Sequence, residues 1–243
     1  MPSTNDKRVL VFGGSGTVGR AIVSALAADG AKVAFTYFQN EAAARALLEV
    51  VPGSVARRVD LASASEASRA VAELGAELGG LTAFVHAATL TSAAAEPKFE
   101  SILEAEEAML DRLLAVNVKS AFFACRELAR EFKGNIVLLG SIDGAKSVPA
   151  PAAYALSKGA LSALARALSK ELGPRGVKIN VVAPGVLEAG SSRLLPEPLR
   201  AEYLKHCGLR RYGKLEEIAG LVAWLALENT YITGQTLVVD GAL

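Results

Sequence analysis

The sequence predicts an α/β domain: a parallel β-sheet with helices on both of its faces. Three observations carry this. Short apolar, often β-branched runs alternate with longer stretches of helical periodicity along the chain. Glycines cluster directly after the first apolar run, where a strand would turn into a helix. The chain has 243 residues, 51% hydrophobic and 21% charged, which suffices for a two-faced core and is too apolar for disorder.

The elements follow in order. Arg8 to Phe12 reads as a buried strand, because it is short, apolar and stopped by glycine. Val18 to Ala28 has apolar residues at helical spacing. Lys32 to Tyr37 is a second strand and Glu41 to Glu49 a second helix; Val55 to Val59 and Glu66 to Leu78 repeat the pair. Leu81 to His86 is the fourth strand. The stretch from Ile102 to Phe132 holds the longest helical pattern, and Asn135 to Leu139 is the fifth strand. Ala152 to Leu172 is helical, closed by Gly173-Pro174. Val177 to Val182 is the sixth strand, Leu215 to Leu227 a further helix and Thr236 to Val239 the last strand. Such alternation implies parallel βαβ crossovers, with ligands bound beyond the carboxyl ends of the strands.

No repeat or linker marks a second domain, so residues 1–243 are expected as one unit. Residues 186–211 have weak periodicity and contain Pro196 and Pro198. They read either as a lid over a site or as an ordinary surface excursion. Lys and Arg number 26 against 25 Asp and Glu, a net charge of +1, so no bulk positive field would hold nucleic acid. No apolar run reaches the ~18 residues of a membrane span, and the polar stretch Met1 to Arg8 lacks a signal core. A cytoplasmic protein without membrane partners is expected. Cys125 and Cys207 fit no metal spacing or disulfide framework, and His86 and His206 are too far apart to suggest a metal site.

Chemistry is expected just after the strands. Gly13, Gly14, Gly16 and Gly19, with Ser15, Thr17 and Val18 between them, stand between the first strand and its helix. Glycine permits the tight turn and the close approach of a pyrophosphate to backbone N–H groups and a helix N-terminus. The second strand ends in Tyr37-Phe38-Gln39-Asn40, without the carboxylate that grips a ribose 2′-hydroxyl. Its absence tilts the reading toward NADP(H); no Arg or Lys stands there either, so NAD stays open. Asp60, followed by Leu61, ends the third strand and either accepts from an adenine amino group or caps the next helix. Ala87 and Ala88 follow the fourth strand.

Ser141 follows the fifth strand, with Tyr154 and Lys158 thirteen and seventeen positions on. An i, i+4 pair shares a helix face, so a phenol and an ammonium can serve one cofactor. Reducing a ketone needs a hydride on carbon and a proton on oxygen. A free phenol has a pKa of about 10; a neighbouring Lys⁺ and a positive nicotinamide would lower it. Ser141 can donate to the carbonyl oxygen as charge develops there. Asn117 can hold a water that passes protons to Lys158, or it can satisfy a backbone carbonyl. Asp143-Gly144-Ala145-Lys146 either gives the pocket a polar mouth or caps a helix.

These residues resemble the short-chain dehydrogenase/reductase family from Val9 to Gly241. The likeness also takes in Asn180-Val181-Val182-Ala183-Pro184-Gly185, Tyr231 to Thr236 and Val239-Asp240-Gly241, and is nearest the bacterial 3-oxoacyl-ACP reductases. It implies a Rossmann-like, doubly wound, seven-stranded parallel sheet and a homotetramer. It implies Tyr154 as acid/base, Lys158 on the nicotinamide ribose, Ser141 orienting substrate and Asn117 in a proton relay. Val186 and Leu187, after Pro184-Gly185, would face the carboxamide through their backbones. The substrate implied is a small ketone or a 3-oxoacyl thioester, with Lys133 and Arg175 where the acyl carrier protein would dock.

Four positions depart from the family pattern. Thr17 replaces the middle glycine of the turn. His86-Ala87-Ala88-Thr89 replaces Asn-Asn-Ala-Gly, a histidine shared with the enoyl-ACP reductases. Ala189 replaces a threonine, for which Ser191 or Ser192 can compensate. Gly16 stands where many NADP-dependent members carry a basic residue. Trp224 is expected in the core or an interface, and His206-Cys207 in ordinary packing or the pocket lining. NADPH-dependent ketone reduction is the leading expectation, beside alcohol or sugar oxidation and non-catalytic nucleotide sensing.

Overall fold

The computed structural model describes residues 7–91 and 101–243. Within them β1 (Arg8–Phe12), β2 (Lys32–Tyr37), β3 (Val55–Arg58), β4 (Ala83–His86), β5 (Gly134–Leu139), β6 (Val177–Pro184) and β7 (Thr236–Val239) form one sheet. Its order is β3-β2-β1-β4-β5-β6-β7, with every pairing parallel. The Rossmann-like single domain is therefore as expected.

Side chains alternate across the pleat and split the core in two. Val9, Val11, Val33 and Phe35 face a layer made by α1 (Thr17–Ala28), α2 (Glu41–Val50) and, with Val137 and Val182, by Ile218 and Val222 of a C-terminal helix. Leu10, Phe12, Phe84 and Ile136 face the opposite layer, built on α3 (Ala64–Glu77) and two later helices. Phe12 and Phe84 meet edge-to-face at 5.0 Å between ring centres, worth about 0.5–1.5 kcal/mol beyond their burial.

The stretch from Ile102 to Phe132 is not one helix. A 3-10 turn at Ile102–Glu104 precedes α4 (Glu107–Leu114), a π turn at Ala115–Lys119 and α5 (Ser120–Leu128). The π turn makes room for one extra residue and turns Asn117 fully inward. Then come α6 (Ala152–Leu172), α7 (Glu197–His206) and α8 (Leu215–Leu227). Strand β6 runs two residues past its expected end, because β7 pairs with it as far as Pro184 and Val239.

Residues 186–211 contain a 3-10 turn at Gly190–Leu194 and α7. Tyr203 and Cys207 tuck against Ile142 in a small cluster of their own. Strand order reverses between β1 and β4, which opens a crevice at their carboxyl ends. Among the described residues no helix is long and apolar enough to cross a membrane, and no group of three or more His, Cys, Asp or Glu could hold a metal ion.

Candidate active site

The crevice starts at the glycine turn. Gly13 has φ +79°, and a Cβ there would lie 2.5 Å from the Ala88 Cα, so the loops after β1 and β4 share one slot. The Gly13 N–H donates to Thr36 Oγ1 at 3.0 Å, which fixes the turn to β2. A Cβ on Gly19 would stand 2.1 Å from the Gly13 carbonyl oxygen, so only glycine lets α1 close onto the turn. Helix α1 has Gly16 as its N-cap and no capping side chain. Its first N–H groups keep their donors for another acceptor. Glycine cradle and bare helix end fit the pyrophosphate of a dinucleotide.

A cavity of about 1910 Å³ extends from this turn across the sheet ends. Gly13, Ser15, Gly16, Thr17, Val18 and Gly19 line its start; Tyr37, Phe38, Asp60 and Leu61 line one arm. Ala87, Ala88, Ser141, Tyr154, Pro184, Gly185, Val186 and Leu187 line the rest. Lys158 and Asn117 are not on the wall but fully buried behind it.

Lys158 donates to the Leu139 carbonyl and to Thr89 Oγ1, each at 2.9 Å, and its Nζ lies 5.7 Å from the centre of the Tyr154 ring. Thr89, a departure from the family pattern, thus supplies an acceptor for the lysine. Burial pulls the Lys158 ammonium down to about 7, with the Asp143 carboxylate offsetting part of this. The Tyr154 phenol differs from expectation: it is pushed up, first by burial and then by Asp143, while a hydrogen bond with Ser141 pulls it down. The chain alone holds this group as a protonated acid.

Asn117 is a clamp. Its Oδ1 accepts from Leu90 N at 2.7 Å, and its Nδ2 donates to Leu90 O at 2.9 Å and to Ser157 Oγ at 3.0 Å. The Ser157 hydroxyl donates to the Tyr154 carbonyl at 2.8 Å. Both amide protons are therefore spent on ordering the loop after β4 against α6.

His86 is fully buried, its Nε2 2.6 Å from Ser120 Oγ. Ser120 gives its own proton to the Val116 carbonyl, so His86 carries a proton on Nε2 and donates it. Its Nδ1 has no partner among the described residues. Burial, then the Lys158 charge, pull this imidazole down to about 3.

Asp60 accepts from Ala62 N at 2.9 Å, while Ser63 caps α3, accepting from Glu66 N. The helix-cap reading of Asp60 is thereby overturned. Leu187 N donates to Ser192 Oγ at 3.0 Å and the Val186 carbonyl accepts from Gly213 N. Those two backbone groups, expected to face a carboxamide, already have partners within the chain. Of the two serines expected to compensate for the threonine lost at Ala189, Ser192 lines the cavity, and the Ser191 side chain lies outside the described residues.

Arg58 was not anticipated. Parallel pairing sets it beside Tyr37, its Nε donates to the Phe38 carbonyl at 3.2 Å, and its guanidinium lies 5.2 Å from the Phe38 ring centre. The end of β2 thus has the cation that its own residues lack. The Ser141 hydroxyl accepts from Asp143 N at 3.2 Å, capping the short turn. Lys146 leaves that turn to bond Asp240 Oδ2 at 2.6 Å and the Leu243 carbonyl. His206 lines the cavity and pairs with Glu202 at 2.9 Å, whereas Cys207 is fully buried with its thiol on backbone carbonyls. Arg175 donates to the Arg130 carbonyl. Trp224 is 45% exposed and so lies outside the core of the single chain.

A dinucleotide-binding sheet whose cavity is lined by serine and tyrosine over a buried lysine defines a class of oxidoreductases. The family model described as enoyl-(acyl carrier protein) reductase matches residues 14–243. The chain is 36% identical to the cyclic-di-GMP-binding biofilm dispersal mediator protein of Escherichia coli K12, over 100% of this chain and 99% of that one. It is 30% identical to the 3-oxoacyl-[acyl-carrier-protein] reductase FabG of Staphylococcus epidermidis, covering 98% and 99%. A short-chain dehydrogenase from Burkholderia cenocepacia, solved with NADP, superposes with a TM-score of 0.88 at 31% identity, covering 99% of each chain. The protein belongs to the short-chain dehydrogenase/reductase family.

Proposed function

We propose that the protein is an NADPH-dependent carbonyl reductase in which Tyr154 protonates the substrate oxygen. The observation that carries this reading is that Tyr154 and Ser141 share a wall of the cavity opened by the glycine turn, with the Lys158 ammonium against the tyrosine ring. NADPH, when bound, supplies the hydride for the carbonyl carbon. Ser141 donates to the carbonyl oxygen and Tyr154, kept protonated by its surroundings, delivers the proton. Lys158 would reach the nicotinamide ribose from behind the wall by giving up Thr89 Oγ1, and Asn117 keeps the loop at Leu90 in register with α6.

NADPH is preferred over NADH on three grounds. The end of β2 has no carboxylate, Arg58 places a cation there, and solved relatives hold NADP or NADPH. The resemblance makes a 3-oxoacyl thioester the first substrate to offer, with carrier-protein docking at Lys133 and Arg175 as its corollary. A homotetramer is supported by half-exposed apolar residues on two helical layers, Phe122 and Leu156 on one and Trp224 on the other. Residues 186–211 form one rim of the cavity and serve as its lid.

The test follows reduced-nicotinamide absorbance with acetoacetyl thioester and a ketone panel, NADPH and NADH in parallel. Oxidation that prefers NADPH and falls about 10²–10⁴-fold in Tyr154→Phe is expected. Tight NADPH binding without turnover of any ketone would overturn the reading in favour of a nucleotide-sensing protein.

A further inference from the structure

Asp143 is a carboxylate of the cavity to which the reduction gives no task. It sits two residues past Ser141 on the 3-10 turn Ile142–Gly144 and lines the cavity beside Ser141 and Tyr154. The turn is pinned. A Cβ on Gly144 would stand 2.4 Å from the Gly159 nitrogen and 2.5 Å from the Lys158 carbonyl carbon, so the backbones of turn and helix are in contact. Asp143 N donates to Ser141 Oγ at 3.2 Å, and the neighbouring Ser141 hydroxyl favours the charged forms of both the Asp143 carboxyl and the Tyr154 phenol. Among the described residues no cation pairs with Asp143. Lys146 is committed to Asp240 and Leu243, and Lys158 to Leu139 and Thr89. Burial pushes the Asp143 carboxyl up from its usual range, as befits a charge short of partners.

A serine hydroxyl has one proton to donate. If Asp143 takes it, the carbonyl oxygen of a substrate does not. We infer that Asp143 is a specificity-determining residue: its carboxylate accepts a hydrogen bond from a hydroxyl or amino group next to the reducible carbonyl, and that donor competes with Ser141 for the carboxylate and shifts the Ser141 proton toward the carbonyl oxygen. The preferred substrates are then α-hydroxy or α-amino ketones. A plain ketone, or a 3-oxoacyl thioester with a second carbonyl acceptor at that place, leaves the Ser141 proton with Asp143. The inference rests on the carbonyl-reductase reading and puts an α-substituted ketone in place of the thioester that the family resemblance offers first.

The test compares 2-hydroxyacetophenone with propiophenone, in which a methyl replaces the hydroxyl. Turnover with NADPH is measured for the wild type, Asp143→Leu and Asp143→Asn. The wild type is expected to favour the hydroxyketone at least about tenfold in kcat/KM, the scale of one hydrogen bond to a charge, with part of the gain in kcat. The ratio should fall to near one in Asp143→Leu and by several-fold in Asp143→Asn, which keeps shape but not charge and covers the case in which the leucine variant does not fold. No preference in the wild type, or a ratio unchanged in the variants, overturns the assignment. If neither ketone turns over, the reductase reading is what has failed. Calorimetric binding of the same pair to the NADPH complex then decides the role of Asp143. A hydroxyketone preference lost in the variants supports it, and equal or undetectable binding of both overturns it.

Discussion

Arg58 shows how one side chain can change the reading of a site. It lies twenty residues past Phe38 in sequence, and only the pairing of Tyr37 with Arg58 across β2 and β3 brings it to the cofactor end. Register between strands is a tertiary fact, so local pattern could not show it. Arg58→Ala is expected to weaken NADPH roughly tenfold or more and to spare NADH, the scale of a charge-assisted hydrogen bond; kcat/KM with each cofactor measures this. His86 carries a second prediction. An unfolded chain protonates this imidazole below 6.5, whereas the folded chain resists until about 3. The unfolded state therefore binds more protons between those values, and stability falls as pH drops through them. Urea midpoints at neutral pH and about pH 5 should differ less in His86→Gln than in the wild type. Ser141, Tyr154 and Lys158 were legible because their types, spacing and place after β5 agree. The raised phenol was not, because burial and the nearness of Asp143 exist only in the folded chain.

At the scale of elements, the glycine turn and the π turn differ in how far sequence exposes them. Gly13 and Gly19 announce a strand-to-helix turn by spacing alone, and the contacts explain both. Gly19→Ala would drive a methyl into the Gly13 carbonyl, whereas a methyl at Gly16 meets only that oxygen, at 3.3 Å. Gly19→Ala should therefore lose most NADPH affinity in a fluorescence titration, and Gly16→Ala much less. Helices Ala152–Leu172 and Leu215–Leu227 match their expected bounds to the residue, because long apolar periodicity fixes them. The π turn at Ala115–Lys119 was hidden, since its sequence keeps the apolar spacing of the helices on either side. What stabilises it is Asn117 reaching Leu90 and Ser157, partners 27 and 40 residues away.

At the scale of the molecule, the parallel sheet with both faces covered follows from alternation and the crossover rule, whereas the doubly wound order was expected only through the family resemblance. The oligomer does not follow from pattern, because apolar positions on an outer helix face look the same whether water or another subunit meets them. Trp224 is 45%, Phe122 49% and Leu156 56% exposed. Light scattering on a sizing column should give four times the chain mass. Trp224→Glu should break one interface and yield a smaller species that still binds NADPH.

The clamp from Leu90 through Asn117 and Ser157 to the Tyr154 carbonyl has a practical corollary. It ties the Tyr154 backbone to the loop after β4 without touching the cavity wall at Val148, Leu195 or Leu199. The molecule thus separates a fixed frame from a replaceable lining. A directed-evolution library that randomises those three positions leaves every bond of the clamp intact. One that randomises Asn117 or Ser157 dismantles the frame, because the bonds to Leu90 and Tyr154 are made by those two side chains to backbone atoms.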